Sequence, residues 1–273
     1  MSRWIIKHAK PLFIGLFATF CIIGAVLLGC FGWDIVAVFL LTFIFFMIIY
    51  VFYFYLINEL LKKGIESCEQ RCDPEGFLKI TEELLSYGVK GWIRQVVLID
   101  YYDALRWSGQ YERTYELLKA VNIDKEARTD PSTKVVYYYN LTDICTQVGK
   151  YDEANIWYDK MQQIYGDIKN EKIKQMYEHI VICGQAYDYY RKGQYAQTVQ
   201  TVCELRAILT AMDKSGNGKV KKCMLVDNSL LLAKCYMELG ELDKAKECLE
   251  YVIDNGNKLY VVVEAKEILA KIG

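Results

Sequence analysis

The closest match to a metal-binding pattern in this sequence is a polar run in its C-terminal third. Residues 213–218, DKSGNG, follow the order of oxygen ligands and glycine that begins a calcium-binding loop. Such a loop needs a bidentate glutamate at its twelfth position, but Met224 stands there. Three lysines among residues 219–222 would also repel a cation. The pattern therefore favours a solvated loop over a calcium site.

Thiols and imidazoles are the other groups that could bind a metal or act as nucleophiles. Cys68 and Cys72 lie one helical turn apart with no histidine near them, which makes a poor metal site, and we expect surface or juxtamembrane thiols there. The two histidines, His8 and His179, have no nucleophile or metal-ligand pattern around them. We therefore predict no enzymatic activity, no metal site and no cofactor.

Net charge and the cysteine pattern limit which partners and which cellular compartment are expected. The formal net charge is −1, without the concentrated basic surface that nucleic acid requires, so nucleic acid is not an expected partner. The ten cysteines are scattered through helical patterns, which is typical of free thiols in a reducing compartment.

A long apolar stretch near the N-terminus predicts a membrane hairpin. Residues 12–57 contain one charged residue, Asp34. One bilayer crossing needs about 20 residues, so this stretch suits two helices, over residues 11–31 and 35–57. Gly32, Trp33 and Asp34 supply the turn between them. The predicted N-terminal domain is therefore a two-span hairpin over residues 1–57, with the lipid bilayer as a partner.

A cleaved signal peptide is the competing interpretation of the first span. Its basic start and apolar core fit that alternative, but a signal peptide core has only about 7–15 apolar residues. In this chain the apolar stretch resumes after Asp34, and two spans account for its full length.

The positions of basic residues predict the orientation of the hairpin. Arg3, Lys7 and Lys10 precede the first span, and Lys62 and Lys63 follow the second, whereas the turn has no basic residue. The positive-inside rule then places both the N- and C-termini in the cytoplasm.

Small residues recur at every fourth position of the first span. Cys21, Ala25 and Gly29 form this stripe, which would let another helix approach closely. The bulky aromatic residues of the second span are its natural partner, although small residues also occur by chance in membrane helices.

Residues 58–94 are predicted to continue the second span and then to form a leading helix. Asp73-Pro74-Glu75 combines an N-cap, a first-turn proline and a first-turn acid, and Gly88 and Gly91 follow the helix end.

Residues 95–273 repeat one pattern four times. Each copy has a helical run, a glycine, any residue, an aromatic or leucine, and a second helical run. We expect the glycine to end the first helix, the aromatic to wedge between the helices, and a small residue three positions later to allow close approach. The turns are Gly109-Gln110-Tyr111, Gly149-Lys150-Tyr151, Gly193-Gln194-Tyr195 and Gly240-Glu241-Leu242, and the small residues are Thr114, Ala154, Thr198 and Ala245.

These residues resemble the tetratricopeptide repeat (TPR), whose helix pairs carry Gly-x-Tyr-x-x-Ala between and within their helices. The resemblance covers residues 95–273 and is strongest in the second and fourth copies. It implies an all-α fold in which a leading helix and about four helix pairs stack into a solenoid. It also implies an inner surface that binds a protein or peptide partner.

On the geometry of that family, the first helix of each pair lines the concave face at positions three and four apart. Tyrosines at this spacing are also typical of helix packing, so a buried core is the competing interpretation. The candidate partner-binding residues are Asp103, Arg106, Trp107, Tyr139, Asp143, Tyr187, Tyr190, Arg191, Lys234 and Met237.

The functional hypothesis from the sequence is a membrane-tethered adaptor or scaffold with cytoplasmic repeats. The alternative is an accessory or regulatory subunit of a larger membrane complex, bound through its transmembrane hairpin. The sequence leaves self-association open.

Overall fold

The computed structural model describes residues 2–31, 34–121, 123, 130–214 and 221–272. These residues form thirteen α-helices and no strand, as the all-α prediction requires. The helices are α1 (Ser2–Lys7), α2 (Ala9–Phe31), α3 (Ile35–Arg71), α4 (Pro74–Ser86), α5 (Gly91–Trp107), α6 (Tyr111–Ala120), α7 (Pro131–Gln147), α8 (Tyr151–Asp167), α9 (Glu171–Arg191), α10 (Tyr195–Lys214), α11 (Lys222–Glu238), α12 (Leu242–Asn255) and α13 (Val261–Ile272).

The chain divides into two compact units that do not follow the predicted domain boundaries. Unit 1 comprises residues 1–63 and 80–98, and unit 2 comprises residues 64–79 and 99–273. The predicted juxtamembrane segment, residues 58–94, is therefore shared between the two units, because its middle portion packs with the C-terminal helices.

Two helices near the N-terminus are long and apolar enough to cross a membrane, and their apolar parts belong to unit 1. They cover Pro11–Cys30 and Ile35–Arg71, and only 6% of the most apolar window of each is buried. The core helix of a soluble protein would be mostly buried, and these two helices are not. Asp34 accepts a hydrogen bond from the Val36 amide at 2.7 Å and so caps the second helix. Gly32 and Trp33 of the predicted turn lie outside the described residues.

Aromatic rings join α2 to α3 in an antiparallel pair. The ring centroids of Phe20 and Phe45 are 4.6 Å apart, and Phe13 meets Tyr53 at 6.3 Å. As the residue number rises along α2, the number of the contacting residue falls along α3, which defines the antiparallel direction.

Of the glycines at positions 15, 24 and 29 in α2, Gly24 is the one that lies against α3, and it is outside the predicted stripe. A Cβ added to Gly24 would lie 3.2 Å from the Val38 side chain. Cys21, Ala25 and Gly29 are exposed, so they do not pack against the second span as expected. The contact follows the phenyl rings on one face of α2, and the small residues occupy another face.

Residues of α1, α3, α4 and α5 form a hydrophobic cluster within unit 1. Its buried members include Ile6 of α1, Ile57 of α3, Leu84 of α4 and Val97 of α5. Arg3 pairs with Glu83 at 3.2 Å beside it. The short N-terminal helix therefore packs with the segments that follow the second apolar helix.

In unit 2 the four repeated glycines form the same turn four times. Each has a positive φ, between 69° and 76°. In the second copy the Gly149 amide donates to the Thr146 carbonyl at 3.1 Å, and the Lys150 amide donates to the Cys145 carbonyl at 2.7 Å. The same two bonds recur at Gly109, Gly193 and Gly240. This is the Schellman arrangement, which ends a helix with a left-handed residue.

The repeated small residues are buried as predicted, but none of the four aromatic or leucine positions is fully buried: Tyr111 and Tyr195 are half-buried and the other two are exposed. Thr114, Ala154, Thr198 and Ala245 are at most 1% exposed, and each follows its glycine turn into a second helix. Tyr151 and Leu242 are 46% and 47% exposed. The expectation that these two residues wedge between helices was wrong, because nearly half of the surface of each residue remains exposed.

The end of α3 packs against the C-terminal helices of unit 2. Cys68, Cys72 and Phe77 share a buried cluster with Val226 and Leu259. The main chain adds a bond from the Lys258 amide to the Cys72 carbonyl at 3.1 Å. The expectation of surface thiols at Cys68 and Cys72 was therefore wrong, because residues far along the chain cover them.

Candidate functional site

A buried ion pair joins the first helices of the first two repeats. Arg106 on α5 donates from Nη1 to Oδ2 of Asp143 on α7 at 2.7 Å, and the two residues are 8% and 0% exposed. Gln147 donates to the other carboxylate oxygen at 3.2 Å. The guanidinium carbon also lies 3.9 Å from the Trp107 ring centroid. Burial by itself would lower the pKa of Arg106. Asp143 and the neighbouring acidic groups raise this pKa by more than burial lowers it, so the net shift is upward.

Two tyrosines extend this polar network through α9 to α11. The Tyr139 hydroxyl lies 3.2 Å from the Cys183 thiol, and the Tyr187 hydroxyl donates to Oδ2 of Asp227 at 3.1 Å. Burial raises the pKa of Asp227 to about 6, although Arg106 acts in the opposite direction. Ala104 and Trp107 of α5 share a hydrophobic cluster with Val226 and Leu230 of α11. Polar and apolar contacts thus link α5, α7, α9 and α11.

A cavity of about 380 Å³ opens beside this network. Its lining comes from α6, α7, α8, α9, α11 and α13, which surround it on several sides. The lining contains five tyrosines, which are Tyr111, Tyr151, Tyr187, Tyr190 and Tyr260.

The charged residues of the cavity are mostly acidic. Asp227, Glu264 and Glu267 line it together with one cation, Lys234. Lys234 Nζ lies 2.6 Å from Oε1 of Glu264, so its charge is already paired. With the carboxylates ionised, three negative charges and one positive charge leave the lining with a net charge of −2.

The structure brings several of the sequence-predicted residues to this cavity. Tyr187, Tyr190 and Lys234 line it directly. Arg106 and Asp143 reach it through Gln147, which is a lining residue.

The other predicted residues lie farther from the lining. Tyr139 and Trp107 are buried in helix contacts. Arg191 donates to the Thr146 hydroxyl at 3.1 Å, and Thr146 lines the cavity. Asp103 lies 3.9 Å from Arg106, and Met237 is half-buried on α11.

Several residues of the cavity are not among the candidates predicted from the sequence. Asp227 lies seven positions before Lys234, so extending the same helix face by two turns would have found it. Tyr111 belongs to the first repeated turn but lines the cavity, with its ring 5.6 Å from that of Tyr260. Tyr260 and Glu264 follow the last repeat, and no local pattern connects them to the others.

A second acidic group lies at the start of unit 2. Lys221 Nζ pairs with Glu69 Oε1 at 2.8 Å. Burial, with Asp103 and Glu69 nearby, raises the pKa of Asp100 to about 8.

Among the described residues, no group of three or more histidine, cysteine, aspartate or glutamate side chains could hold a metal ion. Residues 215–220, which contain most of the calcium-like run, lie outside the described residues.

The geometry of the cavity suits recognition by hydrogen bonds, aromatic faces and negative charge. Its hydroxyl, amide and carboxylate groups offer acceptors, and its tyrosines offer ring faces.

In comparisons with protein-family models, curated proteins and solved structures, nothing matched this chain.

Proposed function

We propose that this chain is a membrane-tethered adaptor whose TPR-like helix pairs bind a partner protein or peptide. The tether is the pair of apolar helices, α2 and α3, and both termini of the chain are cytoplasmic. Confinement at a membrane raises the effective concentration of the repeats for other membrane-bound proteins. The adaptor therefore assembles its partner at the bilayer.

The observation that carries this proposal is the tyrosine-rich cavity in unit 2. It is lined by residues from the first helices of three repeats, including Gln147, Tyr190 and Lys234. The resemblance of the four turns to the tetratricopeptide repeat supports the same assignment, because such helices present an inner surface to partner segments.

An exchange of the membrane segment tests the adaptor. Ile6 and Ile57 belong to the buried cluster of unit 1, so the exchange should be confined to residues 11–50. The chimera carries an unrelated two-span anchor, and the proteins that co-purify with it in mild detergent are compared with those of the natural chain. An adaptor retains its partners in the chimera and loses them when Tyr190→Ala alters the cavity. Glu250→Gln, at an exposed position on α12, is the control and should retain them.

The alternative function is an accessory subunit held in a larger membrane complex by its hairpin. The exposure of Cys21, Ala25 and Gly29 on α2 favours it, since this face is available to a further helix. In that case the chimera loses its partners and Tyr190→Ala does not. These two outcomes separate the alternatives.

The orientation has its own test. Cys203 on α10 is exposed, whereas Cys68 and Cys72 are buried and would not react. In a background with Cys21→Ser and Cys30→Ser, a membrane-impermeant thiol reagent should label Cys203 only after permeabilisation. Labelling of Cys203 in intact cells would place the repeats outside the cytoplasm.

A further inference from the structure

We propose that the cavity of unit 2 receives an arginine side chain of the partner polypeptide. This inference rests on the proposed adaptor function and names the chemistry that its cavity recognises. It follows from three features of the lining, which are its aromatic faces, one incompletely paired buried carboxylate and its size.

The first feature is the concentration of tyrosine around one small volume. Tyr111 and Tyr260 meet edge to face with ring centroids 5.6 Å apart, and Tyr187 and Tyr190 line the cavity from α9. The face of an aromatic ring attracts a cation, and arginine stacks on such faces more readily than lysine does. Grouped tyrosines therefore favour a planar cation over an anion.

The second feature is Asp227, which is 8% exposed and lines the cavity. Its Oδ2 accepts from Tyr187 at 3.1 Å, while Oδ1 accepts no hydrogen bond from the described residues. A buried carboxylate is costly unless it is paired with a cation.

The neighbouring cations already have partners of their own. Lys234 is paired with Glu264 at 2.6 Å, and Arg106 is paired with Asp143 at 2.7 Å. Asp227 therefore lacks an ion-pair partner within the described part of the chain, and an incoming cation would supply it.

The third feature is size and hydrogen-bonding capacity. Pockets for small molecules span about 300–1,000 Å³, so a cavity of about 380 Å³ accommodates a side chain and excludes a helix. Thr146, Gln147 and Glu267 add acceptors to the lining. Guanidinium carries five N–H donors in a planar fork, so it uses these acceptors better than a methylated ammonium does.

The test measures binding of short peptides to the purified full chain in mild detergent by isothermal titration calorimetry. The probes are a pentapeptide whose one charged group is the arginine side chain, the same peptide with citrulline in place of arginine, and free arginine amide. Citrulline keeps the planar shape but has no charge. We expect the arginine peptide to bind at least about tenfold more tightly than the citrulline peptide, which corresponds to a single lost charge pair of about 1.4 kcal/mol.

Variants locate the binding within the cavity. Asp227→Asn and Glu267→Gln should each weaken binding of the arginine peptide severalfold. Glu250→Gln, at an exposed position on α12, should leave binding unchanged. Glu267 is exposed, so its variant remains informative if Asp227→Asn fails to fold. Equal binding of the arginine and citrulline peptides, or unchanged binding in both cavity variants, would overturn the proposal.

The remaining outcomes separate this proposal from the adaptor function. Free arginine amide that binds as tightly as the peptide would show a receptor for a small cation and would overturn the polypeptide source. If the chimera described above retains its partners but no arginine peptide binds, the adaptor stands and this assignment of ligand chemistry fails. If the arginine peptide binds but the chimera loses its partners, the site stands and the adaptor fails.

Discussion

Arg106 and Asp143 lie 37 residues apart in the sequence and form an ion pair of 2.7 Å inside unit 2. Neither side chain is more than 9% exposed. A buried pair of this kind requires both members, since either charge alone would remain without compensation. The pair therefore links α5 to α7.

Removal of one member of this pair should destabilise unit 2 strongly. Asp143→Ala should lower the free energy of unfolding by about 3–5 kcal/mol, because it leaves the Arg106 charge buried. The double variant Arg106→Met/Asp143→Leu should be more stable than either single variant. Urea unfolding followed by circular dichroism measures both. The exposed pair of Lys119 and Glu153 is the control, and Lys119→Met should cost less than about 1 kcal/mol.

The repeated glycines should differ in their tolerance of alanine. Gly149 has φ +75° with no described atom within 4 Å of an added Cβ, so Gly149→Ala should cost about 1–2 kcal/mol from backbone strain alone. Gly109→Ala should cost more, since its Cβ would lie 2.2 Å from the Tyr260 ring. Gly166 lies within α8, and Gly166→Ala should increase the stability of the protein by about 0.5–1 kcal/mol. Equal effects in thermal unfolding would contradict this ordering.

His179 should make unit 2 sensitive to acid. Burial lowers the pKa of this imidazole to about 4, with Lys221 acting in the same direction. Between this value and about 6.5 the unfolded chain binds a proton that the folded chain does not, so stability falls as the pH falls through this window. The loss should reach about 3 kcal/mol below pH 4. His179→Gln should flatten this part of the stability profile, and parallel profiles for the two proteins would disprove the assignment.

Asp100 should give stability the opposite dependence on pH. Burial raises the pKa of its carboxyl group to about 8, with Asp103 and Glu69 adding to the shift. Between about 4 and 8 the folded chain retains a proton that the unfolded chain has lost, so stability falls as the pH rises through this window. Asp100→Asn should therefore stabilise the protein at pH 8 and have little effect at pH 4. Asp243→Asn, at an exposed position on α12, should show no such pH dependence in urea unfolding.

The two small-residue faces of α2 should respond differently to a larger side chain. Gly24→Val should separate the helices, because an added Cβ already lies 3.2 Å from Val38. Gly29→Val should leave the hairpin intact, since an added Cβ there meets no described atom within 4 Å. Cross-linking of Phe20→Cys to Phe45→Cys, in a background with Cys21→Ser and Cys30→Ser, reports the separation. A lower yield for Gly24→Val than for Gly29→Val is the expected result.

Local features of this protein could be predicted from its sequence because they depend on neighbouring residues. The apolar length of residues 12–57 predicted two long helices, and the structure has them as α2 and α3. The glycine turns were predictable because the left-handed conformation of Gly149 and its equivalents depends on the residue type at one position. The burial of Ala154 followed from its fixed distance to that turn.

The site itself depends on the angles between helices, which no local pattern specifies. Arg106, Tyr187 and Asp227 come from α5, α9 and α11, which are separated by long stretches of chain, and only the packing of these helices brings the three residues together. Tyr260 and Glu264 follow the last repeat, so their positions beside the cavity could not be read from repeat spacing. The same long-range packing covers Cys68 and Cys72. The sequence by itself determined the helices, the turns and the apolar hairpin, while the tertiary structure decided which side chains share a buried environment.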